Sequence, residues 1–208
     1  VVVCAGAVGG VGTQHPSERP ATSNTLRRVG DWSAEEERIV RAALAELPGE
    51  GVVLLGAGTL TELLAARLPF GCGYTVVTNS VSSALLLADR GDITLYLTGG
   101  PLHRRAGATL AVPGELEGLS ADIAFVAPEG ISVSRGLTSG DSSEGKCQRA
   151  MMDTARKIVV LADQAEVGND REFRFARLDE VDCLVTSADL APKVSAALRA
   201  RVSLLLQA

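Results

Sequence analysis

Seven short strand-like runs recur along the chain, several of them continuously apolar without alternation, and they constrain the fold more than anything else in it. They are VVLL (52–55), YTVVT (74–78), ITLYL (93–97), IAFVA (123–127), KIVVLA (157–162), CLVT (183–186) and VSLLL (202–206). A strand that reads apolar at consecutive positions is covered on both faces. Helical patterns separate most of these runs, at about 59–68, 81–90, 112–119, 141–156 and 189–200. Such alternation predicts an α/β fold: a mostly parallel sheet with helices on both faces. The helix ahead of the first strand starts at Ser33, followed by Glu36 at capping-box spacing, with Ile39, Val40, Ala43, Leu44 and Leu47 on one face. Residues 1–30 are rich in Gly, Pro, Ser and Thr without periodicity and read as an arm or interdomain linker, leaving 31–208 as the main domain.

In an open parallel sheet the carboxyl ends of the strands share one edge, where ligands bind. Small or polar residues follow nearly every strand: GAGT, Asn79–Ser80, TGG, PEG, Asp163 and Ser187. In GAGTLT, Gly56, Ala57 and Gly58 bring backbone close to a ligand, and Thr59 and Thr61 open a helix whose free N–H groups suit an anion. Ordinary turn and cap chemistry explains the same residues. The turn is neither a P-loop nor a G-x-G-x-x-G fingerprint. Gly99 and Gly100 allow a second close approach, with Arg104 and Arg105 either within reach of a phosphate or simply solvated. Asp141 and Glu144 fit a capping box, and Glu144 alternatively faces the crevice, with Lys146 supplying positive charge.

Charge and composition narrow the function. A net charge of −5 makes this segment a poor nucleic-acid binder, and 3% aromatic residues disfavour base-stacking surfaces. No run is long enough to span a bilayer, and no basic segment precedes the apolar start to make a signal peptide. Cys4, Cys72, Cys147 and Cys183 are scattered and read as reduced thiols of a cytoplasmic protein; His15 and His103 read as surface residues. No cofactor or metal is expected.

The residues taken in order resemble the C-terminal sensor domain of the DeoR family of sugar-metabolism transcription repressors. The likeness runs from about 33 to 205 and rests on the glycine–threonine turn, VVTNS, L-x-GG, AD-x-AF, G-I followed by GLT and Glu144, LAD and D-x-LVT. It implies a fold similar to ribose-5-phosphate isomerase and glucosamine-phosphate deaminase. It also implies a pocket for a phosphorylated sugar or polyol, a homo-oligomer, and operator binding through an N-terminal winged helix-turn-helix domain absent from this chain, which begins where that domain would end. By position, the resemblance places Gly56–Gly58 with Thr59 and Thr61 in the phosphate loop. It also places Asn79, Ser80, Gly99, Gly100, Glu144 and Asp163 at the pocket.

The chain departs from the family pattern at several positions. Gly56 replaces an acid and Leu60 a threonine; Ala127–Pro128 replaces Gly-Ala; Gln148 and Glu166 replace lysines. Lys146, Arg104 or Arg149 are the candidates to compensate. A sugar-phosphate isomerase or deaminase using Glu144 and Asp163 is the alternative function, and a purely oligomerising module with a degenerate pocket is a third.

Overall fold

The computed structural model describes residues 31–110 and 116–208. The chain opens with α1 (Ala34–Leu44), β1 (Val52–Leu55), α2 (Thr59–Arg67), β2 (Thr75–Thr78), α3 (Val81–Leu87) and β3 (Thr94–Leu97). Next come the hairpin strands β4 (Leu102–His103) and β5 (Ala108–Thr109), then β6 (Ile123–Val126), β7 (Gly130–Ser132) and β8 (Gly136–Ser139). The rest is α4 (Ser142–Thr154), β9 (Ile158–Ala162), β10 (Phe173–Ala176), a 3-10 turn at Leu178–Glu180, β11 (Cys183–Thr186), α5 (Pro192–Arg199) and β12 (Leu204–Gln207).

All seven apolar runs join one sheet in the order β12-β11-β9-β6-β1-β2-β3. Every neighbouring pair in it is parallel. Consecutive side chains of a strand point to opposite faces, and both faces of the central strands are covered, while the edge strands β3 and β12 are partly exposed. Val53, Leu55, Ile123, Phe125, Val159 and Leu161 pack with Ile39 and Val40 of α1 and Leu60, Leu63 and Leu64 of α2. The intervening Leu54, Ala124, Val126 and Val160 pack on the other face with Met151 and Met152 of α4 and Leu198 of α5. That is why the runs lack alternation.

The capping box at Ser33 forms: its N–H donates to Glu36 Oε2 at 2.6 Å, and the Glu36 N–H donates to Ser33 Oγ at 3.1 Å. The helix expected over 112–119 does not form where it is described. Residues 116–118 make a turn, with Gly118 at φ +82°, a left-handed conformation that ends a helical path; 111–115 lie outside the described residues. So do the arm at 1–30, Cys4 and His15. Two small antiparallel sheets complete the fold, β10-β8-β7 and β4-β5. Among the described residues no helix is long and apolar enough to cross a membrane.

Candidate functional site

The sheet order sets the position of the cleft. From β1 the chain steps outward to β2 and β3, then returns to β6 on the other side of β1 and steps outward to β9, β11 and β12. The connections leaving β1 and β6 therefore cover opposite faces, and a crevice opens at the carboxyl ends where they part. The turns Gly56–Gly58 and Ala127–Glu129 form its floor. The Gly56 N–H donates to Phe125 O at 2.9 Å, which ties the first turn to β6. Gly58 has φ +146°, and a Cβ there would stand 2.8 Å from the Ala127 Cβ. This position requires glycine on both counts.

Gly58 is also the N-cap of α2, and no side chain caps that end. Thr61 is fully buried, and its hydroxyl donates to Gly58 O at 2.9 Å, closing the turn from within. Thr59 is half-buried at the first helical position. The end of α2 thus offers backbone donors and a partial positive charge to an anion. Glu62 stands in the same turn; burial raises its pKa against hydrogen bonds from Ser82 and Ser80.

At the end of β2, Thr78 donates to Leu55 O at 2.7 Å and accepts from the Ser80 N–H at 3.0 Å. Ser80 caps α3, its Oγ accepting from the Ser83 N–H at 3.1 Å, so that hydroxyl is already engaged. Asn79 is buried; its Nδ2 donates to Thr109 O at 3.2 Å and lies 3.5 Å from Cys147 Sγ. Its Oδ1 has no partner.

Beyond β3, Gly99 and Gly100 are exposed, and Gly100 turns the chain at φ +105° into the β4–β5 hairpin. The hairpin folds back so that Ala108 bridges Ser80 and the Thr109 hydroxyl donates to Thr98 O at 2.7 Å. This brings in His103, which sequence reasoning left on the surface. His103 Nδ1 lies 3.7 Å from Glu144 Oε2. Arg104, at the hairpin turn, is exposed and has no ion pair among the described residues. Arg105 pairs with Glu129 at 3.3 Å.

The cap of α4 differs from a full capping box in a way that matters. Asp141 Oδ1 accepts from the N–H groups of Ser143 and Glu144 at 2.8 and 3.0 Å. The Asp141 N–H, however, donates to Ser139 Oγ at 3.2 Å, leaving the Glu144 carboxylate free of capping duty. Those N–H groups, Glu144's first, lower the Asp141 pKa. Burial raises the Glu144 pKa, with the Glu129 charge adding and His103 opposing. One helical turn on, Gln148 is also buried.

Four buried polar atoms here lack any hydrogen-bond partner: Asn79 Oδ1, His103 Nδ1, Glu144 Oε2 and Gln148 Oε1. Asn79 reaches α4 at Cys147, His103 reaches it at Glu144, and Gln148 follows Glu144 by one turn, so the four belong to one wall. Such a group left unpaired costs about 1–3 kcal/mol. Three of the four are acceptors by type, matching a ligand rich in hydroxyl donors.

Two expected members differ from the wall residues in exposure or engagement. Lys146 is exposed, on the far side of α4 from the buried Glu144 and Gln148. Asp163 is engaged at the end of β9: its N–H donates to Glu166 Oε2 and its Oδ1 accepts from the Ala165 N–H, both at 2.7 Å.

The family model for the DeoR C-terminal sensor domain matches residues 32–188. The chain belongs to the DeoR sensor-domain family. It is 31% identical over 161 residues to the HTH-type transcriptional repressor GlcR of Bacillus subtilis, an alignment covering 76% of this chain and 62% of that protein. To the HTH-type transcriptional regulator GlpR of Haloferax volcanii it is 32% identical over 154 residues, covering 73% and 60%. The chain thus spans about three-fifths of these relatives, which are transcription regulators by name. Among solved structures, ribose 5-phosphate isomerase A of Methanocaldococcus jannaschii aligns with 64% of this chain and 53% of its own, at 17% identity and a TM-score of 0.46. In this DeoR sensor domain Gln148 is buried, and its Oε1 has no hydrogen-bond partner.

Proposed function

We propose that the strand-end cleft binds a phosphorylated sugar or polyol and that occupancy controls DNA binding by a domain outside this chain. The observation that carries the reading is the set of buried atoms without a hydrogen-bond partner along α4 and beside it: Asn79 Oδ1, His103 Nδ1, Glu144 Oε2 and Gln148 Oε1, with His103 and Glu144 3.7 Å apart. Sugar hydroxyls donate to the three oxygen acceptors and can exchange a hydrogen bond with His103 Nδ1. The phosphate takes the uncapped start of α2 at Gly58–Thr59, with exposed Arg104 on the hairpin above as the cation within reach of solvent. Donors at one end and acceptors at the other orient the ligand. A relative is named for the glycerol-3-phosphate regulon of Escherichia coli, which supports phosphorylated polyols as the first class to test.

Control of DNA binding follows if the ligand favours one interdomain or quaternary arrangement. A tenfold to hundredfold preference, about 1.4–2.7 kcal/mol, loosens operator binding measurably. Exposed Tyr96 and Leu97 on the β3 edge, with exposed Leu102 beside them in the hairpin, support self-association, which sedimentation velocity tests directly. Action in the cytoplasm follows from this reading.

Titration calorimetry with glycerol 3-phosphate, ribose 5-phosphate and glucosamine 6-phosphate, each beside its unphosphorylated form, tests the site. Phosphorylated ligands are expected to bind, and Q148L to weaken binding about tenfold through loss of one hydrogen bond. The reading fails if no phosphorylated member binds at millimolar concentration or if Q148L binds like the parent. The enzymatic reading rests on Glu144, a buried carboxyl with raised pKa beside His103. Its test is turnover of ribose 5-phosphate, lost in E144Q.

A further inference from the structure

The small β10-β8-β7 sheet carries a second concavity, away from the strand-end cleft. Gly136 begins β8 at φ +77°, and a Cβ there would lie 2.3 Å from Ala176 O. The β7–β8 turn is therefore pressed against the end of β10. Between that turn, β10 and the segment after it lies a cavity of about 300 Å³ whose wall includes Arg135, Arg174, Arg177 and Arg201 and a single acid, Asp179. A neighbouring hollow of about 380 Å³ shares Arg174 and Arg177.

The charges of these arginines are unevenly compensated. Arg177 is engaged by Asp179, its Nε donating to Oδ1 at 2.8 Å. Arg135 donates to Arg171 O at 2.7 Å and to Glu172 O at 2.9 Å. Those carbonyls fix the guanidinium in place and leave its charge standing. The side chains of Arg174 and Arg201 are exposed and make no hydrogen bond or close ion pair among the described residues, although Arg201 lies near enough to Asp179 to help lower its pKa. Four guanidinium groups thus border one concavity against a single lining carboxylate, in a chain of net charge −5. Like charges gathered on one wall repel, and Asp179, engaged by Arg177 and near Arg201, offsets only part of that charge.

We propose that Arg135, Arg174 and Arg201 form a second anion site, which takes the phosphate group of a small, multiply charged ligand. Guanidinium forks match phosphate oxygens in paired hydrogen bonds; Arg174 and Arg201 offer open forks, and Arg135, held by two carbonyls, adds its charge. The cavity has the size of a small-molecule site, and its concave shape disfavours a duplex backbone. The site is separate from the cleft. In the β8–β10 pair, Phe173 lies opposite Ser139, next to the α4 cap, whereas Ala176 lies opposite Leu137 at the other end, where the arginines gather.

Pyrophosphate is the probe, titrated calorimetrically into the full chain at constant ionic strength. Binding is expected in the parent and in Q148L alike, and R174E/R201E is expected to weaken it at least about tenfold. Both replaced side chains are exposed and make no hydrogen bond among the described residues, so the melting temperature is expected to hold; R174Q/R201Q, with smaller electrostatic change, should weaken binding in the same direction. The proposal is overturned if pyrophosphate fails to bind below about 10 mM, a Kd corresponding to about −2.7 kcal/mol. It is also overturned if the arginine variants bind like the parent, if Q148L alone loses binding, or if a random-sequence DNA duplex binds more tightly per phosphate than pyrophosphate does.

Discussion

Replacing Glu166 by Gln should stabilise the protein above neutral pH and leave it unchanged in acid. Glu166 occupies the loop after β9, where its Oε2 accepts from the Asp163 N–H at 2.7 Å. Burial, the Asp163 charge and the Glu36 charge push its pKa up from the ordinary 4.5 to about 8. The folded state therefore holds a proton that the unfolded chain releases above about 4.5. Stability contributed by the protonated carboxyl is full below that value, falls as pH rises through the interval, and levels off above about 8. At about 1.4 kcal/mol per pH unit the ceiling is about 5 kcal/mol, and relaxation of the site on charging reduces the expected loss to about 2–3 kcal/mol. Gln keeps the acceptor for the Asp163 N–H and can donate an N–H to the Asp163 carboxylate, imitating the protonated acid at every pH. Urea unfolding of parent and E166Q at intervals from pH 4.5 to 9 measures the difference. It should be near zero at the acid end and reach about 2–3 kcal/mol at pH 8.5, or about 5–10 °C in Tm. Parallel stability curves would refute a proton held at Glu166.

The other predictions use the same measurements. G136A forces φ +77° on a residue with a Cβ and drives that atom into Ala176 O, so a loss of at least about 2 kcal/mol is expected in urea unfolding. S33A removes one arm of the first capping box and should cost about 1 kcal/mol without altering ligand affinity in calorimetry. D141A frees two N–H groups at the start of α4 and should cost about 1–2 kcal/mol. That cost is expected to fade as Asp141, whose pKa is lowered, is protonated in acid; a loss constant from pH 7 to 2 would count against it.

The parallel sheet was legible because its strands are apolar on both faces, and that property survives in one dimension. The small sheets were not. Strands such as Gly136–Ser139 and Phe173–Ala176 pair across 34 residues, as Phe173 does with Ser139, and their mixed composition marks neither a period nor a core. His103 was missed for a related reason: only the β4–β5 hairpin brings it to Glu144. The freedom of Glu144 depends on Ser139 accepting from Asp141, a contact no spacing rule anticipates. Lys146 is different. Two residues from Glu144 on a helix it lies about 200° around the axis, so its outward position was readable from the sequence. Gln148, four residues on, was equally readable as a wall residue.

The step at which β6 returns beside β1 also orders assembly in time. β1, β2 and β3 and their helices can pair as soon as residue 97 has been made, whereas β6 must wait for residues 123–126 and α4 for residues 142–154. The glycine floor and Asn79 belong to the early half; Glu144 and Gln148 belong to the late one. A growing chain released between these points would hold a sheet without a cleft. If the cleft binds its ligand as proposed, binding requires both halves, and truncations ending before residue 148 should lose it.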